Sequence, residues 1–329
     1  MKSLKSARQT GHAFQVTKLP RLYAFRQRKS LTVTNGAQLS STSTANVKQR
    51  PDLSRKVIGE DPLPPFGVKT SGLVQLLPGV WALRQDFQLT ENIYTNTFLV
   101  RLRSGGLMLI SPPTRTEEAE ALLQTLPGGG LSAVTHVVIP NLSPEHWFHA
   151  PDWAPFLAGG GRDVTLWTPS GLLEGRATAS LFNGRERVAA MCAAYGAVAV
   201  LPAQPGGGPL PGLEGEAEAV TFYESTGLFT ECTLRLVDYD ASVFTDMAFA
   251  AIEHPPSAVY GKIGSQVAGI DGKLGCPIAY PMLLKDREGG KAWLAVLQRW
   301  NSSSLLCAHF DPLVRDGKTQ LRNAFGFME

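Results

Sequence analysis

Cysteine is scarce in this 329-residue chain, and its spacing excludes two classes at once. The four cysteines, Cys192, Cys232, Cys276 and Cys307, include no Cys-x-x-Cys pair, so neither a zinc ribbon nor a disulfide framework is expected. Buried thiols in a reducing compartment are the expectation instead. No apolar run approaches the ~18 residues that span a bilayer, so no transmembrane segment is expected. No Gly-x-Ser-x-Gly elbow supports serine hydrolysis. The glycine runs at 128–130 and 206–208 lack the Lys-Ser/Thr and the strand-to-helix context of a phosphate loop, and read as breakers.

Negative charge is missing from one end. Residues 1–51 hold ten Lys/Arg and no Asp or Glu, which leaves 21 basic and 28 acidic residues, a formal charge of −7, for 52–329. An acidic body argues against nucleic acid as the partner, because binding a phosphate backbone needs a basic face. The basic end is also hydroxyl-rich, with Ser40 to Thr44 entirely Ser or Thr. Arg-rich, Ser-rich and acid-free describes an organelle transit peptide, and a basic tail that binds something acidic is the plainer alternative. Residues 1–60 are therefore read as a disordered presequence and linker, directed to the chloroplast or, alternatively, the mitochondrion.

What is present begins with Leu73–Leu76 and Val80–Leu83 around Pro78-Gly79, a hairpin. A second hairpin joins Tyr94–Leu102 to Leu107–Ile110 through Ser104-Gly105-Gly106. Thr114 or Thr116 caps a helix over Glu117–Leu126, where Ala119, Leu122, Leu123 and Leu126 recur at helical spacing. Thr135–Pro140 reads as a buried strand, Glu145–Leu157 as a short aromatic helix, Val164–Trp167 as a strand and Asn183–Tyr195 as a helix. Residues 202–215 read as a Pro/Gly-rich surface loop. Strands follow at 219–223, 228–237 and 242–245, then an irregular stretch over 253–285. A helix at 290–300, a strand at 304–308 and a helix from Asp316 or Gly317 to Phe325 complete the pattern. Hairpins followed by strand–helix alternation, twice over, predict two sheets faced by helices, an αββα sandwich.

Four ligand-type residues stand at predicted strand ends: Glu145 and His146 after the 135–140 strand, Asp246 after Val243-Phe244-Thr245, and His309 after Leu305–Ala308. Two imidazoles with two carboxylates suit zinc, iron or manganese. Each has a plainer role as well. His146 beside Trp147 and Phe148 fits a structural histidine, and Glu145 fits the start of a helix. Asp246 fits a cap for a helix over 247–251, and His309 a turn with Asp311-Pro312. His149 is expected to be solvated or stacked rather than a ligand. His254, before Pro255-Pro256, is a weaker candidate.

Taken together, Pro140-Asn141 with Glu145-His146, the segment Val243–Phe249 and the ending Ala308–Lys318 resemble a metallo-β-lactamase-like family of plants, algae and cyanobacteria, a domain of unknown function. The resemblance covers 70–327 and implies an αββα sandwich of the metallo-β-lactamase type. It implies that Glu145, His146, Asp246 and His309 occupy places of the second of two metals, with Asp246 at the bridging position. Asn141 and Ser143 stand where the first metal would need imidazoles. That metal's remaining histidine falls near Thr226–Glu231, where no histidine exists, and Ser111-Pro112 replaces Asp-x-Gly.

The expected function is thus a degenerate, single-metal hydrolase of an ester, thioester or phosphoester, with one Zn, Fe or Mn ion. The alternative is a non-catalytic binding or assembly module with none. The partner is an unidentified small molecule or organelle protein, and no catalytic acid or base is singled out. An iron redox protein lacks a flavin or second-metal feature in support.

Overall fold

The structure is a computed structural model that describes residues 69–86, 94–175, 184–223, 230–253, 269–277, 281 and 286–328. The expected presequence, His254 and most of the 253–285 stretch lie outside the described residues.

The chain opens with β1 (Lys69–Leu77) and β2 (Val80–Asp86), turning at Pro78-Gly79, where Gly79 takes φ 90°. Then come β3 (Tyr94–Arg101) and β4 (Leu107–Ile110), paired with Phe98 opposite Ile110. Helix α1 (Glu117–Gln124) starts at Thr116, whose hydroxyl accepts the Ala119 N–H at 3.1 Å. Of the two threonines expected, Thr116 is therefore the cap. Strands β5 (Val134–Val138), β6 (Thr165–Thr168) and β7 (Ala197–Val200) extend the sheet in parallel, giving seven strands in sequence order.

Between them lie α2 (Ala150–Leu157), α3 (Ser170–Leu173) and α4 (Gly184–Tyr195). A second sheet holds β8 (Gly208–Pro209), β9 (Ala217–Tyr223), β10 (Thr230–Leu236), β11 (Ala241–Phe244), β14 (Ser304–Cys307) and β15 (Val314–Arg315), in the order β15-β14-β11-β10-β9-β8. Its helices are α5 (Arg287–Trp300) and α6 (Gly317–Phe325). A small ribbon pairs β12 (Phe249–Ala250) with β13 (Leu274–Gly275).

Strand alternation sorts the core into three apolar layers. Leu83, Leu99, Leu109, Val137 and Leu166 meet Leu123, Trp153, Leu157 and Met191 of the first helical layer. Phe98, Val100, Met108, Ile110 and Trp167 face Ala219, Leu234, Val243 and Leu306 between the sheets. Phe222, Phe244 and Leu305 meet Trp293, Leu297 and Phe325 of the second helical layer. Helices outside, sheets inside: the αββα expectation holds.

Local expectations differ in four places. The helix expected over 145–157 is broken: a 3₁₀ turn, Pro144–His146, ends at Trp147 (φ −133°), and α2 starts only at Ala150. Pro144 and Pro151 each favour a fresh helix start, since a first-turn proline gives up no needed N–H. The 202–215 loop carries β8, an edge strand that tolerates Pro209. No helix follows Asp246, because 249–250 pairs in a ribbon instead. Strand β7, short and largely exposed, lies where no strand was expected. Among the described residues no helix is long and apolar enough to cross a membrane.

Candidate metal centre

Strands β11 and β14 pair in parallel and so deliver Asp246 and His309 to one end of their sheet, and the residues that follow β5 meet them at this rim. Two straps tie the sheets together there. The Cys232 N–H donates to Pro140 O at 2.8 Å, beside an Asn141–Glu231 bridge. Asn96 donates its backbone N–H to Ala308 O (2.6 Å) and its side-chain amide to Cys307 O (2.9 Å), beside a Thr95–His309 bridge. Segments distant in sequence are thereby held at fixed separation.

At this rim the structure brings Glu145, His146, Asp246 and His309 together, with no two of their ligand atoms more than 4.8 Å apart. Asp246 is the hub. Its Oδ1 faces His146 Nε2 at 3.2 Å and His309 Nε2 at 3.0 Å. Its Oδ2 accepts the Asn141 side-chain amide at 3.0 Å and the Ser143 hydroxyl. Asn141 also donates to Thr245 Oγ1 (2.8 Å), and its own Oδ1 accepts the Ser143 N–H (2.8 Å).

Ser111 Oγ lies 2.6 Å from His146 Nδ1, so the hydroxyl sets which ring nitrogen points at Asp246. Ser111 and Phe310 both hold left-handed backbone, φ 60° and 61°, one touching His146 and the other following His309. Such conformations cost about 1–3 kcal/mol each and persist where surrounding bonds dictate them. Here the Ser111 N–H donates to Val138 O, and Thr97 Oγ1 donates to Ser111 O.

Electrostatics follow from burial and charge. Burial by itself would raise the Asp246 carboxyl; the charges of His146 and His309 and their hydrogen bonds overcome it and hold the group well below the usual carboxylate range. Burial pulls His146 down, but Asp246, with Glu145 and Glu231 adding, carries it above its ordinary value. Burial and the neighbouring Asp246 charge raise Glu145.

Atoms bound to one ion at about 2.0–2.2 Å lie at most about 4.4 Å apart, and about 3.4 Å in a tetrahedron. The Asp246–imidazole separations already lie within both limits, and the widest, 4.8 Å, needs closure by about 0.4 Å to reach the first and about 1.4 Å to reach the tetrahedral one. Two imidazole nitrogens and two carboxylates are a donor set that suits zinc, iron or manganese. The residues present fit one such ion.

They do not fit a second. Asn141 and Ser143 direct amide and hydroxyl hydrogens at Asp246 Oδ2, the oxygen a bridging carboxylate would offer to another ion. Glu231, at the third expected position, turns its carboxylate to Thr245 and the Asp246 backbone.

His149 stays out of the cluster. It is buried, bonded through Nδ1 to Asp152 (3.0 Å) and set edge-on to Phe148, so the stacking expectation holds and the solvated one does not. Reading the sequence for ligands missed Glu231. The available signal was a lone carboxylate in the otherwise strand-like Thr230–Leu236, and the register pairing Leu234 with Val243 carries it opposite Asp246.

By sequence, no protein-family model and no curated protein matches the chain. By structure, fragment 1-254 of diflavin flavoprotein A 5 from Nostoc sp. PCC 7120 superposes with a TM-score of 0.50 at 15% identity, covering 79% of this chain and 96% of that one. The metal-soaked Flv1 flavodiiron core from Synechocystis sp. PCC6803 also reaches 0.50 at 12% identity, over 79% of this chain but 61% of that one, so the chain spans under two thirds of its length. An NDM_FIM-1-like metallo-β-lactamase from Erythrobacter litoralis, in its mono-zinc form, reaches 0.47 at 12% identity over 81% and 99%, too loose a fit to argue from. At such identities the likeness is one of fold. The chain has an αββα fold, shared with these two flavoprotein cores.

Proposed function

We propose that this protein is a single-metal hydrolase in which Glu145, His146, Asp246 and His309 hold one zinc, iron or manganese ion, and that it acts on an ester, thioester or phosphoester. The observation that carries the reading is the division of Asp246. Oδ1 lies against two imidazoles, while Oδ2 is taken up by Asn141 and Ser143. When bound, such an ion lowers the pKa of coordinated water and makes hydroxide available near neutral pH. The chain's own residues do the orienting. Ser111 Oγ, against Nδ1, fixes the His146 ring so that Nε2 faces Asp246 Oδ1. Without an ion Nε2–H donates to that oxygen; with one bound, Ser111 would accept the Nδ1 proton and Nε2 would turn its lone pair to the ion. Asn141 and Ser143 keep the carboxylate from rotating.

A second reading, a non-catalytic binding or assembly module, draws on the same group: Asp246 has partners for both oxygens without any ion. Metal analysis of tag-free protein purified without chelator separates the two. About one ion per chain, lost in Asp246→Ala and His309→Ala, supports the hydrolase. Two ions per chain sinks the one-ion reading. Metal-free protein whose thermal stability ignores chelator and added zinc favours the module.

The proposal extends to residues 1–60 as a presequence for the chloroplast, with the mitochondrion as alternative, and to membership of the plant, algal and cyanobacterial family. It rests on the acid-free, Ser-rich composition of that end and on the residues quoted for the resemblance. A reporter fused to residues 1–60 that enters no organelle removes the targeting claim.

A further inference from the structure

We infer that Glu231 is the positioning residue for Asp246, a buried carboxylate clasp that, through Thr245, sets the direction of the Asn141 hydrogen bond on the side of Asp246 facing away from the imidazoles. The inference rests on the single-ion reading above and deepens it.

Glu231 is 1% exposed and, among the described residues, faces no Lys or Arg within ion-pair distance. A buried carboxylate without a countercharge, next to a second carboxylate, is costly unless hydrogen bonds satisfy it. All three of its bonds go to two residues. Oε1 accepts the Thr245 N–H at 2.7 Å; Oε2 accepts the Thr245 hydroxyl and the Asp246 N–H, the latter at 3.1 Å. Strand β11 ends at Phe244, so these two N–H groups leave the sheet ladder where Glu231 receives them.

Donor direction then propagates. An ionised carboxylate only accepts, so the Thr245 hydroxyl must give it its single proton. Thr245 Oγ1 is left as an acceptor and receives one hydrogen of the Asn141 amide at 2.8 Å. The other amide hydrogen is thereby aimed at Asp246 Oδ2, 3.0 Å away. With Ser143 on the same oxygen, Oδ2 is saturated and Oδ1 is presented to His146 and His309. A glutamine at 231 breaks the sequence at its first step, because its amide hydrogens would oppose either the Thr245 N–H or the Asp246 N–H and the Thr245 hydroxyl.

The test titrates cobalt(II) into metal-free, tag-free full-length protein and follows affinity and visible absorption. Glu231→Gln is expected to weaken cobalt binding about 10–100-fold and to alter the absorption bands, which report the arrangement of ligands around the ion. Thr245→Val should act likewise, while Thr245→Ser, which keeps the hydroxyl, should match the wild type. The threonine pair decides the matter if Glu231→Gln does not fold. Wild-type affinity and spectrum in Thr245→Val, or in a folded Glu231→Gln, overturn the clasp even where thermal stability falls, because a purely structural role moves stability alone. Wild-type protein that binds no cobalt instead sinks the single-ion reading, and this inference with it.

Discussion

Replacing Asn141 by leucine keeps its branched heavy-atom outline and removes three hydrogen bonds at a residue that is 1% exposed. One is made to the charged Asp246 Oδ2 and is worth about 1.5–3 kcal/mol; those to Thr245 Oγ1 and from the Ser143 N–H are worth about 0.5–1.5 kcal/mol each. These bonds share partners, so their losses do not add fully, and about 3 kcal/mol is the expected cost. In a folded body of this size a kcal/mol corresponds to about 2–4 °C, so the melting temperature should fall by about 6–12 °C. The measurement is thermal and urea unfolding followed by circular dichroism, with chelator present so that no ion contributes. A loss below about 1 kcal/mol would refute the reasoning. Asp246 Oδ2 would then be satisfied by solvent or by rotation, and Asn141 would not be what restricts the site to one ion.

Three further outcomes are expected. Trp293→Ala should cost about 3–5 kcal/mol in denaturant unfolding, since the indole packs on Phe222, Phe244 and Phe325 (ring centroids 6.1, 6.2 and 5.1 Å) and donates to Thr233 Oγ1; a cost under 1 kcal/mol would contradict that packing. Burial pulls the His136 imidazole below its ordinary value, against a smaller opposing pull from Glu216, and Trp167 Nε1 donates to its Nδ1 at 3.1 Å. The unfolded chain therefore takes up the proton first: this contribution to stability is complete above about pH 6.5 and is lost as pH falls below it. His136→Asn should flatten that slope, and an unchanged slope would show that another group sets it. Asp311→Ala removes the acceptor for the Ile252 and Glu253 N–H groups (2.6 and 2.7 Å) and should cost about 1–3 kcal/mol, with faster amide exchange at both positions. Unaltered exchange there would rule out that anchoring role.

The layered fold was legible because each of its signals is local. The Pro78-Gly79 turn, the β-branched and aromatic run of β3, and the 3.6-residue recurrence through Trp293, Leu297 and Trp300 depend only on near neighbours. Irregular segments were less legible. The broken helix at 145–157 follows from two prolines that compete to start it, and β8 and β12 exist only because β9 and β13 pair with them.

The candidate ligands could be read from strand ends, since parallel strands deliver their C-terminal residues to a common rim. Glu145, His146, Asp246 and His309 were accordingly picked out one by one from the chain. Their supporting partners could not be, because a hydrogen bond between residues 14 or 105 positions apart leaves no periodic trace in the chain. Only antiparallel registration of β10 against β11 puts Glu231 beside Asp246, and only the straps between sheets set Asn141 against the same carboxylate. Residue chemistry thus supplies the donor set, while long-range backbone pairing decides which oxygen of Asp246 is left facing the imidazoles.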